Sequence, residues 1–143
     1  MARVKIDIAT PSLFSTQIPV RITDVNYGNH VGNDALVSMV HEARMQWLTF
    51  GGFSELDVKG AALIMGDLAV AYKSESFYGD ILDFSISVDG ITSVSFEIYY
   101  QITTVRNGIT VTVAQAKTGM VCYDYTAKKV VAIPAAFKKF LSH

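Results

Sequence analysis

The chain has 143 residues, half of them hydrophobic and 17% charged, with 12 basic against 13 acidic side chains and a formal net charge of −1. That length suits one domain spanning 1–143, able to bury a core without disulfides or metals. The balanced charge excludes the basic field that nucleic acid or an anionic membrane surface requires.

The N-terminus, M-A-R-V-K-I-D-I, lacks the apolar run of a signal peptide, and no stretch reaches membrane-spanning length. The expectation is a soluble cytoplasmic protein whose large apolar fraction finds an outlet in oligomerisation. Residues Arg3 to Ile8 carry a weak alternation that suits a short strand or arm. Phe14 to Val25 is expected as the first substantial strand, with Pro19 marking an edge or bulge. After a polar loop, Ala35 to Phe50 is expected as the main helix, ended by Gly51-Gly52, with Asn33 or Asp34 as its cap. Leu36, Met39, Val40, Ala43, Trp47 and Phe50 form its core stripe.

An apolar strand from Ala61 to Lys73, interrupted at Gly66-Asp67, comes next. Strands at Ile81 to Val88, Ser93 to Val105 and Ile109 to Tyr123 follow, joined through Asp89-Gly90 and Asn107-Gly108, which are hairpin signals. Pro134 opens a short terminal helix, Ala135 to Leu141. Strand, long helix, then about four antiparallel strands is an α+β order, one helix packed on a curled sheet. The single cysteine, Cys122, has no internal partner and lies in an apolar run, a buried side chain rather than a nucleophile.

Polar side chains concentrate between the first strand and the helix. Asp24, Asn26, Asn29, His30, Asn33 and Asp34 fall together, with Gly28 and Gly32 supplying backbone freedom. Such residues build any strand-to-helix turn. They also place the helix's first N–H groups beside polar side chains, where a developing negative charge is stabilised. The histidines lack metal-ligand spacing, and no phosphate-cradling glycine loop or serine-hydrolase elbow occurs.

This stretch is similar to the signature of the hotdog-fold thioesterases, in particular their 4-hydroxybenzoyl-CoA thioesterase-like branch. That signature reads D-x-D-x-x-G-H-V-N-N, followed by a helix carrying E-A-R. Asp24, His30, Val31, Asn33, Glu42, Ala43 and Arg44 stand where the pattern expects them. Asn26 replaces the second aspartate, Asn29 the glycine before histidine, and Gly32 the first asparagine. Val70-Ala71-Tyr72 through Gly79-Asp80-Ile81-Leu82, and Ile133-Pro134 before the last helix, are also similar to the family, so the resemblance runs from about Phe14 onward.

The resemblance implies a hotdog fold, an antiparallel sheet of about five strands wrapped around one long helix. It implies a homodimer, or a tetramer of dimeric units, with each site at a subunit interface. The implied reaction is hydrolysis of an acyl thioester of coenzyme A or acyl carrier protein, with coenzyme A present only as part of the substrate and no metal. Asn26 and His30 then orient the thioester, the helix N-terminus holds its oxyanion, and Tyr27, Gly28, Val31 and Asn33 contact the substrate. An amide at position 26 takes no proton, so the base must be another group. Glu42 is the first candidate, with His30, Asp24 and Asp67 behind it. Lys73, Arg106, Lys117, Lys128 and Lys129 are cations available to the carrier's phosphates, none of them assigned. The alternative is a hotdog protein that binds acyl thioesters, or pairs structurally, without turnover; a hydratase on the same fold fits less well because no Asp/His pair stands at a suitable helix spacing.

Overall fold

Alternation of apolar and polar residues in the second half of the chain builds a sheet with one continuous buried face. The computed structural model describes residues 2–142. Its elements are β1 (Phe14–Pro19), α1 (Asn33–Phe50), β2 (Ala62–Tyr72), β3 (Ile81–Asp89), β4 (Ser95–Arg106), β5 (Ile109–Asp124), β6 (Lys129–Val130) and α2 (Ala135–Leu141). The strands pair antiparallel in the order β1-β3-β4-β5-β2, with β6 added to β5. This is the hotdog arrangement that the sequence led us to expect.

The inner face presents Leu82, Phe84 and Ile86 from β3, Phe96, Ile98 and Ile102 from β4, and Ala114, Ala116 and Met120 from β5. Successive strand residues point to opposite faces, so the period-2 pattern of β4 delivers every second side chain inward. Against them α1 sets Leu36, Met39, Val40, Ala43 and Trp47, all buried. Each large side chain so buried contributes about 1.5–3 kcal/mol relative to exposure. At the far end Phe140 of α2 stacks on Trp47 with ring centroids 5.0 Å apart.

Turn chemistry sets the hairpins. Asn107 and Gly108 both take positive φ, 52° and 75°, and join Arg106 to its partner Ile109 in a two-residue connection. Gly66 forms a bulge in β2, where the register shifts between Met65 and Asp67.

Four expectations change. The first strand stops at Pro19, because the chain then folds into a 3-10 turn over Ile22–Asp24, with the Asp24 N–H bonded to the Arg21 carbonyl at 2.9 Å. The main helix begins at Asn33, capped by Gly32; neither Asn33 nor Asp34 caps it, and no side chain takes that role. Phe50 is exposed and packs on Phe14, while Arg44 and Leu48 join the buried set. Residues Arg3 to Ile8 form no strand.

Candidate active site

The loop from Val25 to Val31 is a small closed turn. Val25 and Val31 form an isolated antiparallel bridge, Asn26 N–H donates to the His30 carbonyl at 3.0 Å, and Asn29 N–H to the Asn26 carbonyl at 3.1 Å. The Asn26 side chain closes it further: its Oδ1 accepts the Gly28 N–H at 2.8 Å. That fixes the amide orientation and leaves Nδ2 as a donor without a partner among the described residues. Glycine at 28 keeps the arrangement close, since a Cβ there would stand 3.1 Å from Asn26 Oδ1 and 3.2 Å from His30 Nε2. Tyr27, at the tip, is fully exposed.

His30 Nδ1 lies 3.3 Å from the Val31 carbonyl. With the proton on Nδ1 donated there, Nε2 keeps its lone pair toward the Asn26 side of the loop. Val31 and Gly32 then lead into α1, the Val31 N–H held by the Ser76 carbonyl at 2.8 Å and the Gly32 N–H by the Asp24 carbonyl at 3.0 Å. The next three N–H groups, those of Asn33, Asp34 and Ala35, make no hydrogen bond among the described residues, and the first helical bond runs from Leu36 to Gly32. An uncapped helix start carries unsatisfied donors and the positive end of the helix dipole.

A cleft of about 290 Å³ opens at this end, lined by His30, Val31, Asn33, Leu36, Tyr72 and Val113, with 73–76 as its other wall. Tyr72 donates its hydroxyl to the Asn33 carbonyl at 3.0 Å, tying β2 to the first residue of α1. Burial, and then the Asp34 charge, raise its phenol pKa, so it stays a donor. Of the residues singled out in the sequence, His30, Val31 and Asn33 line this cleft, as do Tyr72 from the family-like run Val70-Ala71-Tyr72 and Lys73, named there only as an available cation; Ser74, Glu75 and Ser76 were not foreseen.

The remaining candidates separate. Asp24 is buried and committed: it accepts the Arg21 backbone N–H at 2.8 Å and pairs with the Arg21 guanidinium at 3.3 Å, whose pKa that carboxylate raises. It fastens the turn. Glu42 lies nine residues into α1, about 13 Å along its axis from Asn33. It lines a different groove, with Gln17, Pro19, Arg21 and Ser38, and accepts a hydrogen bond from Gln46 at 2.8 Å. Within one protomer it shares no cleft with Asn33. Asp67 pairs with Lys117 at 3.0 Å and accepts the Gly119 N–H at 2.8 Å, and these bonds lower its pKa. Arg106 binds the Glu75 carbonyl and Asp80, both at 2.7 Å. Among the described residues no group of three or more His, Cys, Asp or Glu is placed to hold a metal.

A family model described as the thioesterase-like superfamily matches residues 20–141, which takes in the polar loop, both helices and all but the first strand entire. The chain belongs to the thioesterase-like superfamily. No curated protein matches this superfamily member significantly. Solved structures share its fold over nearly their whole length. A 1,4-dihydroxy-2-naphthoyl-CoA thioesterase from Synechocystis matches with TM-score 0.80 at 20% identity, covering 90% of this chain and 95% of that one. A 4-hydroxybenzoyl-CoA thioesterase mutant in complex with 4-hydroxybenzoyl-CoA gives 0.79 at 14% identity, covering 90% and 97%. The dynemicin thioesterase gives 0.82 at 18% identity, covering 92% and 96%.

Proposed function

We propose that this protein hydrolyses an acyl-CoA thioester to a carboxylic acid and free coenzyme A. The observation that carries this reading is the uncapped start of α1: three unpaired N–H groups beside a cleft, with the Asn26 amide and His30 on the adjoining loop. Thioester hydrolysis passes through a tetrahedral oxyanion, and preorganised N–H donors stabilise it more than the flat ground state. Asn26 Nδ2 adds a donor for the thioester carbonyl. His30, with its tautomer set by Val31, orients the attacking water. Relatives named for aromatic acyl-CoA substrates support coenzyme A as the carrier.

At about 290 Å³ the cleft sits just below the usual size for a drug-sized ligand. It takes a small acyl group and needs a second surface for the rest of the substrate. The outer edge of the sheet supports this. β2 pairs only with β5, and it carries the exposed apolar side chains Met65, Leu68 and Tyr72. An unpaired edge of that kind is suited to a second copy of the chain. Such a homodimer, or a tetramer built from it, supplies that second surface.

The test is free-thiol release from short, long and aromatic acyl-CoA esters, and from acyl carrier protein thioesters, by the purified protein and Asn26→Asp. Turnover of at least one coenzyme A ester by the natural protein is the expected result. An inert natural protein that gains turnover with Asn26→Asp would make this a site that binds thioesters and leaves them intact.

A further inference from the structure

We propose that Glu75 is the general base of the hydrolytic step, the carboxylate that acts where Asn26 leaves the loop without one. This rests on the thioesterase reading above. An amide takes no proton near neutral pH, so the attacking water must lose its proton to another group in the cleft.

Most carboxylates near the site are engaged. Asp24 is held by Arg21, Asp80 by Arg106 and the Phe77 N–H, Glu55 by His41 and Arg44, and Glu97 by Lys117 and Tyr99. Asp67 is held by Lys117, and Glu42 faces another groove. Asp34 folds back over Gly32, where a Cβ would meet its Oδ1 at 2.8 Å, and it does not line the cleft. Glu75 does line it, is solvent-exposed, and its carboxylate makes no hydrogen bond or ion pair among the described residues.

The backbone beneath this free side chain is fixed. The Glu75 carbonyl accepts from Arg106 Nη2 at 2.7 Å, and the guanidinium also packs 5.1 Å from the Phe77 ring centroid. The next carbonyl, that of Ser76, takes the Val31 N–H at 2.8 Å. Glu75 therefore stands on a segment tied directly to the loop that carries Asn26 and His30, on the wall opposite the helix start. The backbone that carries this carboxylate is thus anchored, while the side chain itself makes no ion pair among the described residues.

In the step itself, water adds through oxygen to the thioester carbonyl carbon while Glu75 takes one of its protons. The carbonyl electron pair moves onto oxygen, where the N–H groups of Asn33, Asp34 and Ala35 receive it. Collapse of that oxyanion breaks the C–S bond, and the proton on Glu75 passes to the leaving sulfur. One water and one thioester give one carboxylic acid and one thiol.

The experiment compares the natural protein with Glu75→Gln and Glu75→Asp, measuring thiol release on the best ester and the affinity for its non-hydrolysable thioether analogue. The expected result is a fall in kcat of about 100-fold or more in Glu75→Gln, with partial return in Glu75→Asp and analogue affinity unchanged in both. A Glu75→Gln protein with the natural kcat overturns the inference and leaves the thioesterase reading standing. Lost affinity with unchanged kcat overturns it too, making Glu75 a binding residue. A natural protein inert on every ester removes both.

Discussion

At Tyr72 one hydroxyl ties a strand to the candidate site. It reaches the Asn33 carbonyl at 3.0 Å and so aims the first N–H groups of α1. Tyr72→Phe keeps the ring and removes that bond. We expect kcat to fall about 10-fold, equivalent to ~1.4 kcal/mol of transition-state stabilisation, with KM nearly unchanged; steady-state thiol release measures both. Cys122 presents the opposite case. Burial pushes its thiol up to about 11 from an ordinary value near 9, because the thiolate has no polar partner there. The folded state therefore holds its proton where the unfolded chain has lost it, and stability falls as pH rises between those two values. Native protein at pH 8 is expected to resist thiol labelling, whereas protein in denaturant reacts at once. Fast labelling of the native form would place Cys122 at an accessible site.

Among the elements, α1 carries the most constraints. Its central charge, Arg44, is buried and spans to Glu55 at 3.2 Å and to the Tyr100 hydroxyl at 3.1 Å, which meets Thr118 Oγ1 at 2.8 Å. Burial alone would lower its pKa, but Tyr100 and Glu55 outweigh that and raise it. This pins the helix to the sheet and explains why an arginine stands inside an apolar stripe. The helix ends where Gly51 leaves room for the Phe140 ring of α2, which a Cβ would overlap. Gly51→Ala forces that ring away from Trp47, and overpacking of this kind costs about 1–3 kcal/mol. Urea unfolding is expected to show a lower midpoint with an unchanged slope. An unaltered midpoint would mean that α2 moves aside freely.

Over the whole molecule, the sheet has two edges, β1 and β2, and on β2 the apolar side chains Met65, Leu68 and Tyr72 are exposed. Pairing of two such edges would bury them and bring a second subunit toward the cleft. In the homodimer proposed above, Leu68→Asp is expected to shift sedimentation toward monomer and to lower turnover with it, since like charges would then face each other across a two-fold interface; a sedimentation profile unchanged from the natural protein would overturn the β2-edge dimer. Among the described residues no helix is long and apolar enough to cross a membrane.

Much of this architecture follows from short-range chemistry and was legible in the residues. The Asp89-Gly90 and Asn107-Gly108 signals separated β3, β4 and β5, and Pro134 preceded a helix with the bounds expected. The loop also declared itself, because Asn26, Gly28 and His30 act within a few residues of one another. Other features depended on partners distant in sequence. The reach of the first strand ended in a turn held by Arg21 and Asp24, and capping passed to Gly32 once the backbone, not a side chain, made the entry. Glu42 carries the same carboxylate as Glu75, and neither periodicity nor motif spacing says which faces the helix start. That was decided by packing, when the Ser76 carbonyl met the Val31 N–H and carried the segment after β2 across to the far wall of the cleft. A sequence determines its local hydrogen bonds and its alternating faces; which charges come to share one cleft is determined only when the chain closes on itself.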